Sequence, residues 1–459
     1  KITTLTLPKI KCRFAEIKRR FIPTERRFIF VKRRFIFGKR IYFLSKRTLC
    51  RKYVLLLLNN SKNETDMKGI NDVNFAGMRV DFNVPVDENK KITDDTRIME
   101  ALPTINKLLG DGAAVILMAH FGRPKKGGFE PELSLKPVAE YLSEVLKKEV
   151  VFTQSIDFAD IQALADKLQG GQVMMLENIR FYPEETKGDV ELAKKLAALG
   201  DCYVNDAFGA AHREHSSTAT IAQFFPNSKY FGLLMEHEIV NLKKLMTAPE
   251  KPFTAIIGGS KISSKIDVIK NLLPLVDNLI IGGGMSYTFA KANGKRIGRS
   301  ICEDDKLQVA LDLQEQAKKE NVNLYLPIDI LAGDGFSNDC NIKYFPEIDI
   351  PNEWEGMDAG EKTRQMFGEV ILKSKTILWN GPVGVFEFEN FAGGTNSIAK
   401  YIAQATDQGA FAAVGGGDSV SAIKKSGFAD KISYISTGGG AMLEYLEGKT
   451  LPGIKAILD

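Results

Sequence analysis

The side chains in the first half of this chain that could do chemistry are mostly cations. They are Arg97, His120, Arg123, Arg180, His212 and Arg213, preceded by Asp81 and Asn83. The guanidinium group of arginine presents a fixed fork of N–H donors, which holds a carboxylate or a phosphate at two points at once. This set of residues predicts a binding site for a small phosphorylated acid.

In the second half of the chain, the residues that could do chemistry are glycine clusters, two lysines and an aspartate. The clusters are Gly258-Gly259-Ser260-Lys261 with Lys265 four residues later, residues 282–284, the run Gly415-Gly416-Gly417-Asp418-Ser419, and residues 438–440. Glycine turns let backbone N–H groups approach a polyphosphate closely. An aspartate that opens a helix after such a turn is a candidate Mg²⁺ ligand. Two phosphate sites in one chain predict an enzyme that brings together two phosphate-bearing substrates.

Three cationic loops follow predicted strands. The loop at His120 follows one strand, the loop at Arg180 a second, and the loop from Asp206 to Ser217 a third. Because ligands of α/β folds bind at the carboxyl ends of strands, three such loops favour a shared anion pocket over coincidence. Taken alone, the motif that begins at Asp81 is equally compatible with a turn-forming pair, and Arg97 with a solvated surface arginine.

The glycine clusters leave two other classes of protein open. A dinucleotide-dependent oxidoreductase would use glycine turns in a similar way, but its GxGxxG fingerprint between a strand and a helix is missing. The cluster at Gly258 also lacks the GxxxxGK[ST] spacing of a P-loop. A non-catalytic protein that binds nucleotides or nucleic acid would exploit a basic N-terminal segment, but it leaves the set of arginine and lysine positions unexplained.

Charge is divided unevenly along the chain. The 459 residues carry 62 Lys and Arg against 57 Asp and Glu, a net charge of +5. Residues 1–66 hold 19 of the basic and 4 of the acidic residues, so the rest of the chain carries 43 basic and 53 acidic residues. An acidic body argues against a nucleic-acid-binding core. The length and the 44% hydrophobic content allow two or three domains.

Cysteine usage and hydropathy indicate which compartment and which kinds of site to expect. The five cysteines show no CxxC pair and no metal-ligand spacing with the four histidines. This predicts free thiols in a reducing compartment and no structural zinc. No apolar run approaches the roughly 20 residues of a membrane span, so we expect no membrane association.

Apolar β-branched runs alternate with helical patterns from Met67 onward. The runs include residues 114–118, 202–205, 254–257 and 411–414, and the helical patterns include residues 96–109, 135–147, 305–320 and 395–408. The alternation predicts the α/β class with two doubly wound parallel-sheet (Rossmann-like) domains. We expect an acid-binding domain at residues 67–248 and a nucleotide-binding domain at residues 249–447, joined by an interdomain helix at residues 233–246. Residues 448–459 form a last segment that can pack back on the first domain.

Residues 1–66 form a basic leader outside the predicted fold. Arg-Arg-Phe-Ile recurs with a period of seven at Arg19, Arg26 and Arg33. The spacing fits a basic amphipathic helix, a membrane-surface element or an organelle transit peptide, although Pro23 and the scarcity of serine argue against these. Since Met67 lies directly before globular-looking sequence, we expect an untranslated upstream extension and a cytoplasmic protein. A genuine transit peptide would instead make the protein organellar.

Taken together and in order, the motifs resemble the phosphoglycerate kinase family. The strings are DFNVP, DDTRI, HFGRP, ENIRF, DAFGAAHREHSS, GGSK, GGGM, WNGPVGVFE, GGGDS and STGGGA, and they span residues 67–459 with few gaps. The resemblance implies reversible phosphoryl transfer between 1,3-bisphosphoglycerate and MgADP, which gives 3-phosphoglycerate and MgATP. It also implies a monomer whose two domains close about a hinge.

Residue roles follow from the same resemblance. It implies a 3-phosphoglycerate site formed by Asp81, Asn83, Arg97, His120, Arg123, Arg180 and Arg213. It implies an ATP or ADP site formed by Lys261, Lys265, Gly356, Glu387, Gly416, Gly417, Asp418 and Ser419, with Mg²⁺ on Asp418. Arg97 and Lys261 are expected to flank the transferring phosphoryl group. The expected partners are these small molecules, without nucleic acid.

One departure from the family's pattern concerns the strand before Asp81. The family has a fuller strand at this point, and the segment Gly77-Met78-Arg79-Val80 looks about four residues short. Losing that much of a central strand is expected to shift its register or its connection and to weaken the fold.

Overall fold

Two parallel β-sheets organise the part of the chain that is described. The computed structural model describes residues 74–459 and three short strands of the leader. The chain divides into one unit of Lys1–Asn71 and a second unit of Asp72–Asp459.

The described part of the leader is a small antiparallel sheet. Its strands are β1 (Phe28–Val31), β2 (Arg34–Phe37) and β3 (Arg40–Phe43), paired in that order. In these stretches the repeats form strands and not the amphipathic helix that their spacing allowed. The other predictions for residues 1–66, including a transit peptide, lie outside the described residues.

A six-stranded parallel sheet forms the first half of the main unit. Its strands are β4 (Phe75–Arg79), β5 (Ala114–Met118), β6 (Val150–Phe152), β7 (Val173–Met175), β8 (Cys202–Asn205) and β9 (Lys229–Phe231). The spatial order is β6-β7-β5-β4-β8-β9. The central strands are apolar at almost every position because both of their faces are covered. The helices of this half are α1 (Thr96–Gly110), α2 (Lys136–Leu146), α3 (Phe158–Ala165) and α4 (Val190–Ala197).

The strand that looked short, β4, is a regular central strand. Its five residues pair in parallel with β5, and four of them pair with β8 on the other side. Arg79 pairs with Met118 and with Asn205, so the motif that begins at Asp81 leaves the sheet level with the ends of its neighbours. The pairing of β4 contains no break, and residues 75–77 fill the strand. The apparent shortfall therefore does not shift the register of this strand.

A fifteen-residue helix, α5 (Leu233–Thr247), lies where an interdomain helix was predicted. Asp206, directly after β8, accepts a hydrogen bond at 3.1 Å from a backbone N–H in the first turn of α5, and burial raises the pKa of Asp206 to about 6. Glu238 of α5 is buried and accepts hydrogen bonds from Ser436 and Thr437 in the second half of the chain. The helix is thus attached to both halves.

The second half repeats the parallel architecture and adds a small antiparallel sheet. Strands β10 (Phe253–Ile257), β11 (Asn278–Ile281) and β12 (Asn323–Tyr325) precede the antiparallel strands β13 (Ile330–Gly333), β14 (Ile342–Phe345) and β15 (Glu355–Ala359), and β16 (Thr376–Asn380), β17 (Phe411–Gly415) and β18 (Tyr434–Ile435) follow. The parallel sheet has the order β12-β11-β10-β16-β17-β18, and the antiparallel sheet has the order β14-β13-β15.

Seven helices accompany these sheets. They are α6 (Ile266–Leu272), α7 (Met285–Ala292), α8 (Leu307–Lys319), α9 (Glu361–Leu372), α10 (Gly393–Asp407), α11 (Gly417–Lys425) and α12 (Gly440–Leu446). The antiparallel sheet was not predicted, since its strands carry no continuous apolar run: three of the four residues of β14 are exposed.

The last helix, α13 (Pro452–Leu458), contacts the half of the chain that precedes α5. Gly453 N donates to the carbonyl of Ala211, and Lys229 Nζ donates to the carbonyl of Ala456, both at 2.8 Å. Within residues 74–459, no helix combines the length and the apolar character that crossing a membrane requires.

Candidate active site

The carboxyl ends of β7, β5 and β8 bring the cationic loops together at one edge of the parallel sheet, with β4 between β5 and β8. His120 follows β5, Arg180 follows β7 and Arg213 follows β8. A cavity of about 470 Å³ opens there, and Arg123, Arg180, Arg213 and His215 are among its lining residues. The arginines that the sequence analysis placed in one anion pocket therefore share one cavity.

The motif that begins at Asp81 connects this cavity to helix α1. Arg97 Nη1 lies 3.1 Å from Asp81 Oδ2 and donates to the carbonyl of Asn83 at 3.1 Å. The Asn83 side chain accepts from Gly122 N at 2.8 Å, where Gly122 adopts a φ of +57°. The pair of polar residues thus holds the Arg97 side chain against the turn that follows His120. The turn-forming alternative for this motif accounts for none of these contacts.

His120 is buried beside an arginine that the sequence analysis did not assign to the site. Arg79 Nη2 lies 3.1 Å from His120 Nδ1, and Asp81 Oδ1 lies 3.9 Å from the same nitrogen. Burial first, and then the charges of Arg79 and Arg180, hold the pKa of His120 well below its usual value. A charged residue at the end of an otherwise apolar strand was the available signal for Arg79.

The cationic groups of the cavity repel one another. Burial and the neighbouring charges of Arg213 and Arg79 lower the pKa of Arg180 to about 10. Burial and the charge of Arg180 lower the pKa of His215 to about 3. Since a bound anion relieves such repulsion, the cavity is suited to a phosphate or a carboxylate.

A buried carboxylate, also not predicted, lies behind the cavity. Glu185 is fully buried and accepts hydrogen bonds from Ser217 Oγ at 2.6 Å and Ser217 N at 3.0 Å. Burial raises its pKa, while the charge of Arg79 acts in the opposite direction. Because Arg79 Nε also donates to Ser217 Oγ, at 3.0 Å, the serine links the buried cation to the buried anion.

In the second half, the ends of β10, β16 and β17 form one polar edge. Lys265 Nζ donates to Asn380 Oδ1 at 2.5 Å, and Asn380 Nδ2 donates to the carbonyl of Gly415 at 2.7 Å. Gly381 N donates to Ser419 Oγ at 2.6 Å. Burial lowers the pKa of Lys265 against the opposing charge of Asp418. Lys261 lies exposed in the loop after β10.

The first turn of α11 lies at this edge. Gly416 precedes the helix with a φ of +92°, and an added Cβ atom would meet the Asn380 amide nitrogen at 2.8 Å, so a glycine is required there. Asp418 in the first turn is exposed. The N–H groups of a helix N-terminus favour an anion, and a carboxylate beside them can share a cation with that anion.

Two predicted nucleotide residues lie on other elements. Gly356 belongs to β15, donates to Ser300 Oγ at 2.8 Å and leaves no room for a side chain because Tyr287 packs against it. Glu387 is exposed in the loop after β16. Among the described residues no hydrogen bond connects either of them to the Gly416 turn.

Elements that carry the two polar edges touch each other at two places. Lys424 of α11 donates to Asp94 Oδ2 at 2.7 Å and to Thr96 Oγ1 at 2.6 Å, at the start of the helix that carries Arg97. An added Cβ atom on Gly440 would lie 3.8 Å from the His212 ring. The elements that carry the two candidate sites are therefore in contact.

A cavity lined by arginines in one parallel-sheet half and a glycine-rich edge in the other fit the class of two-substrate phosphotransferases. The sites lie at the carboxyl ends of their strands, as expected for open α/β sheets.

The chain belongs to the phosphoglycerate kinase family. The family model described as "Phosphoglycerate kinase" matches residues 70–449. The phosphoglycerate kinase of Porphyromonas gingivalis is 50% identical over 416 residues, which cover 84% of this chain and 99% of that protein. Phosphoglycerate kinase 3, cytosolic, of Arabidopsis thaliana is 51% identical over 394 residues, which cover 86% of this chain and 96% of that protein.

A solved structure agrees with these relatives. The phosphoglycerate kinase of Coxiella burnetii superimposes with a TM-score of 0.77 at 40% identity, over 85% of this chain and 98% of that chain. The chain is therefore a kinase of glycolysis that uses a nucleotide as co-substrate. Its reaction is reversible phosphoryl transfer between 1,3-bisphosphoglycerate and ADP, which gives 3-phosphoglycerate and ATP. Family membership removes the oxidoreductase and non-catalytic alternatives.

Proposed function

We propose that each half of the chain binds one substrate. The cavity lined by Arg123, Arg180 and Arg213 holds 3-phosphoglycerate, together with Asp81, Asn83, Arg97 and His120. The edge formed by Lys261, Lys265 and residues 416–419 holds ATP or ADP, with Gly356 and Glu387 at its margin. The observation that carries this proposal is the cavity that these three arginines share in one half, and the positive-φ glycines Gly259, Gly381 and Gly416 that follow β10, β16 and β17 in the other. The domains then correspond to residues 67–248 and 249–447, with residues 448–459 returning to the first.

The chemistry requires charge stabilisation and no general base. In the ATP-consuming direction the carboxylate of 3-phosphoglycerate, already ionised near neutral pH, attacks the γ-phosphorus. A bond forms between the carboxylate oxygen and phosphorus, the bond from phosphorus to the β,γ-bridging oxygen breaks, and ADP leaves without a proton transfer. Arg97 from one half and Lys261 from the other flank the transferring group and stabilise its charge.

Asp418 is the residue proposed to hold Mg²⁺. Within residues 74–459 no group of three or more His, Cys, Asp or Glu side chains could form a protein-only metal site. One exposed carboxylate beside a helix N-terminus fits Mg²⁺, which takes one or two carboxylates and completes its shell with phosphate oxygens and water. When bound, Mg²⁺ neutralises charge on the nucleotide phosphates.

The remaining features of the proposal concern the whole enzyme. We propose a monomer whose two halves close about α5 and exclude water from the reaction. The acidic body supports the absence of a nucleic-acid partner, and we propose no membrane partner. The cytosolic enzyme of Arabidopsis supports a cytoplasmic location, with an organellar one as the alternative for a leader that acts in targeting.

Calorimetric titration of two variants tests the division of the sites. Arg123→Ala is expected to weaken binding of 3-phosphoglycerate by about tenfold or more and to leave binding of MgADP unchanged, because the removed cation lines only the first site. Lys265→Ala is expected to do the reverse. Loss of both ligands in either variant, with the fold intact by circular dichroism, would contradict the proposed division.

A further inference from the structure

Arg79 is almost completely buried and is held by three groups. Its Nε donates to Ser217 Oγ at 3.0 Å, Nη1 donates to the carbonyl of Val80, and Nη2 lies 3.1 Å from His120 Nδ1. The side chain is 1% exposed. A buried cation at the end of a central strand is costly, so its contacts call for a functional reason.

The contact with His120 determines the state of the imidazole ring. Arginine has only N–H donors and keeps its charge, so it can bond His120 only if Nδ1 is an acceptor. A ring that accepts at Nδ1 is neutral and carries its proton on Nε2. His120 is therefore a fixed hydrogen-bond donor through Nε2–H.

A second arginine donates to a histidine ring nitrogen in the loop that follows β8. Arg213 Nε donates to His212 Nε2 at 3.1 Å, so the neutral His212 ring carries its proton on Nδ1. Burial lowers the pKa of His212 as well, and the charge of Arg213 adds to this. His120 and His212 are therefore each held in one tautomer by an arginine.

We propose that Arg79 is a positioning residue that fixes the tautomer of His120, so that Nε2–H donates to bound 3-phosphoglycerate at every pH at which the enzyme works. The inference rests on the proposed function insofar as the cavity binds 3-phosphoglycerate. Without Arg79, either ring nitrogen of His120 could carry the proton, and the ring could become charged.

The groups that face His120 come from several elements. They are Arg79 of β4, Asp81 after it, Arg97 of α1, Arg180 after β7 and Arg213 after β8. Four cations surround the ring and one carboxylate lies 3.9 Å from it. Removal of Arg79 takes away the cation in direct contact and frees Nδ1 for a proton beside Asp81. The variant ring is therefore expected to titrate at a higher pH than the wild-type ring.

The first measurement is on the wild-type enzyme. Two-dimensional ¹H–¹⁵N spectra of the histidine rings, assigned with His120→Gln, are expected to show a neutral ring protonated on Nε2 from pH 8 to pH 5.5. A wild-type ring that is protonated on Nδ1, or that titrates near its unperturbed pKa of about 6.5, would overturn the proposal. This result does not depend on the ligand of the cavity or on the folding of an Arg79 variant.

The second measurement compares Arg79→Met with wild type. The ratio of their KM values for 3-phosphoglycerate cancels the titration of the substrate's own phosphate, whose second pKa is about 6. We expect the ratio to be about fivefold larger at pH 8 than at pH 5.5, since a protonated His120 donates a stronger, charge-assisted bond. KM for ATP is expected to stay unchanged, and Arg79→Lys, which keeps a charged donor, should restore a constant ratio.

A matched variant of a cavity arginine distinguishes failure of the proposed 3-phosphoglycerate site from failure of the proposed role of Arg79. Arg123→Met removes a cavity arginine that does not contact His120, so its KM ratio should be raised equally at all pH values. If Arg123→Met changes nothing, the cavity does not bind 3-phosphoglycerate and the proposed function fails. If Arg123→Met behaves as expected while the Arg79→Met ratio is constant with pH, Arg79 is only structural.

Discussion

Replacement of Arg97 with alanine is expected to lower kcat by on the order of 10²-fold or more, with a modest change in KM for 3-phosphoglycerate. The reason is that the guanidinium group stabilises charge on the transferring phosphoryl group, which exists only in the transition state. Asp81 and the carbonyl of Asn83 hold this group in place, so little ordering is needed during the reaction. Steady-state kinetics of the purified variant measures both constants.

Lys107→Ala is the matched control for Arg97. Lys107 lies on the same helix and forms an ion pair with Asp111 at 2.8 Å, away from the cavity, so its loss should leave kcat unchanged. Arg97→Ala with full kcat and only a raised KM would mean that Arg97 binds substrate without stabilising the transition state.

Replacement of Asp418 with asparagine is expected to raise the Mg²⁺ concentration needed for half-maximal rate by about tenfold or more, because asparagine lacks the charge that attracts the ion. Binding of 3-phosphoglycerate is expected to be nearly unchanged. Initial rates over a series of Mg²⁺ concentrations, combined with calorimetry for 3-phosphoglycerate, provide the measurement.

Asp407→Asn controls for the loss of an exposed carboxylate in the same half. Asp407 pairs with Lys431 at 2.9 Å at the end of α10 and should show the wild-type Mg²⁺ dependence. If Asp418→Asn weakened both ligands equally, Asp418 would be a structural residue at the start of α11 and not a metal ligand.

Loops that follow apolar strands were the part of the candidate site that the sequence predicted well. The runs at residues 114–118 and 202–205 are buried strands, and His120 and Arg213 follow their ends as expected. Hydrophobic runs are local signals, and the rule that ligands bind at carboxyl ends of parallel strands turns them into positions. Fold class and the placement of the cationic loops therefore needed no long-range information.

Buried charges were missed because their partners are distant in sequence. Arg79 meets Ser217 across 138 positions, and Glu185 meets the same serine across 32. Either charge, taken alone, is read as a surface residue, since unpaired charges are rarely buried. The contact between Lys424 and Asp94 joins the halves across 330 positions, and no local signal in the sequence indicated it either.

The register prediction for the strand before Asp81 failed for a different reason. The apparent shortfall of this strand predicted a shift in its register or in its connection, and β4 keeps its register, with residues 75–77 paired in the sheet. A motif comparison records a missing length but not which neighbouring residues replace it. The short strands of the antiparallel sheet were missed because exposed residues such as Lys343 and Tyr344 interrupt their apolar pattern.

The most direct test of the account is the rate of ATP consumption in the presence of Mg²⁺ and 3-phosphoglycerate, measured for the full chain and for a chain that begins at Met67. Consumption of 1,3-bisphosphoglycerate by an added dehydrogenase keeps the reaction running and reports it through oxidation of NADH. We expect turnover that requires ATP, 3-phosphoglycerate and the added dehydrogenase together, at similar rates for both chains. NADH oxidation without ATP or without the added dehydrogenase, or the absence of any rate that depends on 3-phosphoglycerate, would contradict the account.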